Sequence, residues 1–180
     1  MEPNEAQELA EQQERALENK LKPVSFTMAV LAVLVAVVTV MGHRTHTEAV
    51  LFQAKASDQW NLYQAKKIRQ NETELTTDLL STLELRDPTT AKKLSDDYKA
   101  HEQKWDEDLK EEQKEAETFQ EEVRVAERRA DRFDLGEALL EIGLVVSSIT
   151  LLTRLRAYWH LGICFGVAGV LVAAMAFLIN

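Results

Sequence analysis

The sequence predicts an all-α membrane protein with three transmembrane helices and a long antiparallel helical hairpin, a coiled-coil stalk, between helices one and two. Residues 23–42 and 161–179 are two uncharged apolar runs, and each reaches the roughly 20 residues that cross a hydrocarbon core of about 30 Å. A third apolar run occupies residues 136–153. Residues 43–135 are charged, contain no glycine and are interrupted by one proline, Pro88, a composition that favours long helices in water.

The first 22 residues form an acidic tail, with six glutamates against three basic residues. A signal peptide begins with a basic region and ends at a small-x-small cleavage site, and neither feature is present. We therefore expect an uncleaved membrane anchor at residues 23–42, preceded by a solvated helix or a disordered tail. The net charge of -9 argues against nucleic acid as a partner, and the single cysteine, Cys164, rules out an intrachain disulfide.

The extramembrane segment reads as two helical arms that meet at a turn near residues 86–90. Proline disfavours helix in the residue before it, here Asp87, and Thr89 or Thr90 can cap the helix that follows. The arms, residues 44–86 and 90–134, are nearly equal in length. A chain that leaves a bilayer, turns once and returns to the same face needs such matched arms.

The second arm has a continuous stripe of residues at spacings of three and four, which predicts a coiled-coil seam. The members of this stripe are Ala91, Leu94, Tyr98, His101, Trp105, Leu109, Glu112, Ala116, Phe119, Val123, Ala126, Ala130 and Phe133. We interpret His101 and Glu112 as polar residues that fix the register.

The first arm is less regular than the second. We expect Ala65, Ile68, Leu75, Leu79 and Leu83 to face the second arm, while Leu51, Phe52, Trp60, Leu62 and Tyr63 spread further round the helix. One partner helix cannot cover so wide an apolar face. Helices from other copies of the chain are therefore expected to bury the remainder.

The third apolar run carries two glutamates, Glu137 and Glu141. Twelve residues separate Glu141 from Arg154, which is about 18 Å of helix and too short to span the core. Glu141 must then lie inside the apolar region if residues 136–153 cross the bilayer, and we predict three crossings. The alternative is an interfacial or re-entrant segment.

Small residues recur on one face of each of the last two transmembrane helices. We predict that the two faces pack together through a short loop at residues 154–160, since small side chains let helices approach closely. The members of this packing seam are Gly143, Ser147, Thr150, Gly162, Gly166, Gly169, Ala173 and Ala176. The glutamates would then point away from the third transmembrane helix.

A carboxylate at mid-membrane costs about 2.5–3.5 kcal/mol unless it finds a partner or water. The predicted ion-pair partners of Glu137 and Glu141 lie where the hairpin meets the membrane: His43, Arg44, Arg129 and Arg132. Two alternatives stay open. The carboxylates could line a pore or proton path, or a neutral, protonated Glu141 could pack at an interface.

The sequence predicts no catalytic residues, no cofactor and no metal site. The stretch HRTHTE places His43 and His46 on one helix face, but two ligands do not make a zinc site. No phosphate-binding glycine loop or nucleophile–base pattern accompanies it. We therefore do not expect an enzyme.

Basic residues give the expected sidedness. Arg15, Lys20, Lys22, Arg154 and Arg156 lie on one side, and the long stalk counts little in the positive-inside rule. This predicts a cytoplasmic N-terminus and a stalk on the opposite side of the membrane, which in a bacterial inner membrane is the periplasm.

Two stretches resemble a bacterial membrane-protein family catalogued as domain of unknown function 4337. They are SDQWNLYQAK at residues 57–66 and DRFDLGEALLEI at residues 131–142. The resemblance extends from about residue 24 through the closing helices around Leu152–Arg154, and it implies a bacterial three-span membrane protein without assigning an activity.

The expected role is that of a homo-oligomeric scaffold or interaction platform in the lipid bilayer. The competing hypothesis is a ring-shaped channel or conduit with Glu137 and Glu141 lining the lumen. An accessory subunit, with an unidentified protein partner on the stalk, is a third interpretation that the sequence does not separate from the first.

Overall fold

The computed structural model describes the backbone of residues 3–82 and 88–179, and it describes the side chains of residues 21–179 except 83–88, 91, 102 and 103. The described chain is helical and contains no strand. Three α-helices follow in order: α1 (Pro3–Thr82), α2 (Pro88–Thr153) and α3 (Arg156–Met175), with a 3₁₀ turn at Ala176–Leu178. The all-helical prediction is confirmed.

Three helices are long and apolar enough to cross a membrane, as predicted. The candidate spans lie within Leu21–Thr82 of α1, Lys92–Thr153 of α2 and Arg156–Leu178, which covers α3 and the 3₁₀ turn. The helix α1 runs without a break through the predicted tail, first transmembrane segment and first arm. The helix α2 begins at Pro88, where a proline fits because the first residues of a helix need no N–H donor.

The chain divides into two compact units. Unit 1 contains the residues up to Thr47 together with those from Val125 onward. Its core joins all three helices, and Phe133 and Phe177 meet edge to face with ring centroids 5.6 Å apart. The buried apolar residues of this core are Leu31, Val38, Phe133, Leu140, Ala173 and Ala176.

The link between α2 and α3 consists of Arg154 and Leu155. The Arg154 amide donates a hydrogen bond to the Thr150 carbonyl at 2.8 Å, and Arg154 adopts the left-handed conformation with φ 58°. This conformation closes the last turn of α2 and reverses the chain at once. The predicted loop of residues 154–160 is therefore too long, because residues 156–160 already belong to α3.

Unit 2 contains Glu48–Arg124 and pairs segments of α1 and α2. Its buried apolar residues are Ala49, Ala56, Leu109 and Ala116, together with Val123. Contacts join residues of rising number on α1 to residues of falling number on α2: Gln59 bonds Glu112, and Gln70 bonds Asp106.

The inward face of α1 in unit 2 differs from the predicted one. Ile68, Leu75 and Leu79 are 57%, 63% and 59% exposed, and Ala65 is exposed as well. Polar residues such as Gln70 occupy the inward positions instead. On α2 the predicted stripe is buried or half-buried from Trp105 onward, but Leu94 and His101 are exposed. Leu83 and Ala91 lie outside the described side chains.

Candidate functional site

Glu137 lies on the third apolar run and is half-buried in unit 1. Its Oε1 accepts a hydrogen bond from the Thr39 hydroxyl of α1 at 2.6 Å. The same hydroxyl lies 2.9 Å from the Val35 carbonyl, one turn earlier on α1. Glu137 is thus held by a neutral hydroxyl inside an apolar stretch of helix.

Glu141 follows one turn later and has a different environment. Its side chain is exposed, and it makes no hydrogen bond or ion pair with any residue whose side chain the structure describes. The exposed Ile142 and Val145 beside it place the carboxylate on an apolar surface. Within the described part of the chain, no cation or hydrogen-bond donor compensates this carboxylate.

The predicted ion pairs between these carboxylates and nearby cations are not formed among the described residues. Arg44 lies with Val40, His43 and Thr47 along a shallow groove of about 350 Å³. It follows the buried Gly42 by two positions, about 200° around the helix, so it points away from α2.

The other predicted cations also have different surroundings. Arg129 donates from Nε and Nη2 to the Ile179 carbonyl at 2.9 and 2.8 Å, and so fastens the chain after the 3₁₀ turn to α2. Arg132 is exposed.

The structure also shows a pair near these residues that was not predicted. His46 Nε2 lies 3.0 Å from Asp134 Oδ2. Spacing alone could not find this contact, because its residues lie on different helices.

The structure brings the two small-residue faces of α2 and α3 together. A Cβ atom added to Gly143 would lie 2.8 Å from the Gly162 carbonyl oxygen, and one added to Gly162 would lie 2.7 Å from the Gly143 carbonyl oxygen. Such distances mean that the two backbones touch, which only glycine permits. Ser147, Thr150, Ala173 and Ala176 are buried along the same contact.

Two further features of this contact were not predicted. Gly136 and Leu140 extend it, since a Cβ on Gly136 would lie 2.9 Å from the Gly169 carbonyl oxygen. The hydroxyls of Ser147 and Thr150 are buried and have no hydrogen-bond partner among the described residues. Close packing, rather than polar pairing, therefore joins α2 to α3.

A polar layer crosses unit 2 between α1 and α2. Glu112 accepts hydrogen bonds from Gln59 and Lys66, and Gln59 also donates to Glu115 at 3.0 Å. The hydrogen bond to Glu112 raises the pKa of Lys66 above its usual 10.5. Burial works against this shift, while the carboxylates of Asp108 and Glu111 add to it. These hydrogen bonds form only when α1 and α2 are aligned along their lengths in one way. This fits the prediction that Glu112 fixes the register of the two helices.

His101 was predicted to act in the same way but does not join this layer. It stacks on Trp105 with ring centroids 5.9 Å apart and is exposed to solvent. No group of three or more histidine, cysteine, aspartate or glutamate residues with metal-binding geometry occurs within the described part of the chain.

The side of α1 that faces away from α2 carries an apolar stripe in unit 2, which we call the outer face. It consists of Leu51, Ala54, Ala65, Ile68, Leu75 and Leu79, all exposed. On α2 in the same unit, Leu94 is the one large apolar residue exposed among those described. Several large apolar residues of α1 are therefore directed outward, while Gln59, Lys66 and Gln70 bond α2 beside the buried alanines of α1.

The profile of the family described as Domain of unknown function (DUF4337) matches residues 20–179. The chain belongs to this family. The match covers the carboxylates, the small-residue contact, the polar layer and the outer face, and it leaves out the acidic tail before residue 20. No curated protein and no solved structure matches the chain significantly.

Proposed function

We propose that the protein is a homo-oligomeric membrane scaffold. Its three apolar helical stretches cross a bilayer, and an antiparallel hairpin built from α1 and α2 displays an interaction surface in the aqueous phase. Copies of the chain assemble side by side through this hairpin. The proposal assigns no catalytic activity, cofactor or nucleic-acid partner to the chain.

The observation that carries the proposal is the exposure of the outer face. Leu51, Ile68, Leu75 and Leu79 are each more than half exposed in a segment rich in charged residues. Burying one such side chain contributes about 1.5–3 kcal/mol of favourable free energy, so covering this face with a protein partner would be strongly favourable.

Two sets of observations support the membrane placement and the hairpin. Large apolar residues are exposed around unit 1, among them Phe26 at 72%, Leu152 at 85% and Phe177 at 66%, and lipid would cover them. In unit 2 the pairs Gln59–Glu112 and Gln70–Asp106 follow the order that antiparallel helices give.

The proposed setting is a bacterial inner membrane with a cytoplasmic N-terminus and a periplasmic stalk. Lys20 and Lys22 before the first span and Arg154 and Arg156 after the second support this orientation. The stalk could also serve an unidentified protein partner, which would make the chain a subunit of a mixed complex.

One observation favours a second function, a ring-shaped conduit. Glu141 is exposed on an apolar surface and has no partner among the residues whose side chains are described. A water-filled lumen between copies would hydrate this carboxylate, as would a cation from a neighbouring copy. Glu137, already bonded to Thr39, would lie at the margin of such a lumen.

The mass of the particle in mild detergent, measured by native mass spectrometry, tests the scaffold. We expect two or more copies for the natural chain and a clear shift to the monomer for the double variant Ile68→Lys and Leu75→Lys. The matched control is Thr118→Lys, an exposed position on α2, which should keep the assembly. A monomeric natural chain would refute the proposal, and a ring with an open centre in electron micrographs would favour the conduit.

A further inference from the structure

We propose that the outer face of α1 binds the same face of α1 in a second copy of the chain, with the two helices parallel and in register. This inference rests on the proposed function and specifies the contact through which the scaffold assembles. It places α1 helices at the centre of the assembled stalks and α2 helices at the outside.

Helical geometry shows that the outer face is a second contact surface. The buried residues Ala49, Ala56 and Gln70 mark the inward side of α1 at intervals that are multiples of seven. Ala54, Ile68 and Leu75 also recur at multiples of seven, about 180° from that side. A helix with two opposed sevenfold repeats contacts two neighbours, and α2 supplies only one of them.

Charge determines which surface of a neighbouring copy can cover this stripe. The outward side of α2 in unit 2 carries Glu107, Lys114 and Glu121, which lie opposite the buried Leu109 and Ala116. Packing Ile68 and Leu75 against those charged side chains would remove water from them, and the apolar side chains would offer no charge or hydrogen bond in return. The outer face of α1 is the surface of matching chemistry that the described part of unit 2 offers, so the contact joins like to like.

The polar residues within the stripe fix how the two helices align. Asp58, Asn61 and Glu72 interrupt the apolar positions at unequal intervals. Parallel helices in register bring Asn61 to Asn61 and each apolar level to its equivalent, and they also set Asp58 and Glu72 opposite their equivalents. A shift by one heptad sets Asp58 against Ala65 and Ile68 against Asn61, which places polar groups against apolar ones. Arg69 lies three positions before Glu72 on the same helix and brings a positive charge to that level. Two copies inserted in one bilayer with the same orientation are also parallel.

Cysteine cross-linking of the full chain in native membranes tests this contact. In a Cys164→Ser background, Ile68→Cys and Leu75→Cys should form disulfide-linked dimers at least tenfold faster than Thr118→Cys, the matched position on the outside of α2. A scan of cysteines from Lys67 to Thr76 should show maxima at residues 68, 72 and 75. The buried Gln70 is left out of the scan. The other positions are exposed or half-exposed in the single chain, so these variants should fold.

The outcomes separate the failure of this inference from that of the scaffold. Equal rates at Ile68→Cys and Thr118→Cys, or preferential mixed dimers when the two variants are co-expressed with different tags, would overturn the like-to-like contact. Absence of cross-links in a particle of several copies would overturn it as well while leaving the scaffold intact. Absence of cross-links in a monomeric particle would overturn both the like-to-like contact and the scaffold.

Discussion

The Thr39 hydroxyl bonds Glu137 across the α1–α2 contact at 2.6 Å while lying 2.9 Å from the Val35 carbonyl. A hydroxyl has one proton, so the Thr39 hydroxyl donates to one of these two acceptors at a time. Among the described residues this hydroxyl, and not Arg44, is the group that Glu137 contacts. The site is a hydrogen-bonded contact between helices and not an ion pair.

Replacing Glu137 tests the value of this contact. Glu137→Gln should leave the apparent melting temperature in mild detergent nearly unchanged, because an amide can donate to Thr39 and accept from it. Glu137→Ala should cost about 0.5–1.5 kcal/mol, the usual value of one hydrogen bond. Glu141→Ala is the control and should have no effect on the single chain. A large loss with Glu137→Gln would show that the negative charge itself is required.

Gly162→Ala should separate α2 from α3. The added methyl would lie 2.7 Å from the Gly143 carbonyl oxygen and would also overlap Ser147 Oγ, so one backbone must move. Overpacking of this kind costs about 1–3 kcal/mol, which a thermal melt in detergent would detect.

Gly42→Ala is the matched control for Gly162→Ala. Its added methyl would meet Asp134 Oδ1 at 3.4 Å and Phe133 Cβ at 3.5 Å, both ordinary contacts. Since alanine favours helix over glycine, this variant should melt at the natural temperature or slightly higher. Equal losses at both positions would contradict the close contact between α2 and α3.

Alkaline pH should weaken the stalk through Lys66. Because the hydrogen bond to Glu112 raises the pKa of Lys66 in the folded chain, its stabilising contribution is complete below the unfolded pKa of about 10.4. The contribution is lost as the pH rises through the folded value. Circular dichroism melts between pH 8 and 11.5 should show a steeper decline for the natural chain than for Lys66→Met. Lys110→Met, an exposed substitution, should keep the natural steepness, and a decline unchanged by Lys66→Met would disprove the assignment.

The His46–Asp134 pair should contribute little to stability. Both side chains are about half exposed, at 51% and 53%, and solvent screens such pairs to about 0–1 kcal/mol. His46→Gln should therefore melt close to the natural chain. Phe133→Ala, one position before Asp134, should cost about 3–5 kcal/mol, because the Phe133 side chain is only 4% exposed and packs against the Phe177 ring. A comparable loss for both variants would show that the exposed pair contributes as much to stability as the core contact of Phe133.

Composition and spacing predicted the helices and their apolar stretches well. Long uncharged runs and the absence of glycine from residues 43–135 leave few alternatives to helix. The small residues Gly143 and Gly162 also indicated their own contact, since little else places glycines at such intervals in an apolar helix.

The partners of individual faces could not be predicted in the same way. An apolar stripe shows that a face is covered but not what covers it. For that reason Ile68 and Leu75 were assigned to the partner arm, whereas Lys66 and Gln70 occupy that contact through hydrogen bonds. The pairing of Arg44 with Glu137 failed for a related reason: nearness along the membrane normal does not fix the side of the helix from which a group projects.

The two-residue link at Arg154 and Leu155 has a consequence for variation in chain length. One additional residue in a helix turns everything after it by about 100°. Two residues are too few to absorb such a rotation, so an insertion or deletion in the link would turn Gly162 and Gly169 away from Gly143 and Gly136. The number of residues in this link is therefore constrained as strictly as the glycines are. Inserting one residue should destabilise the packing of α2 on α3 as much as a bulky substitution at one of the seam glycines.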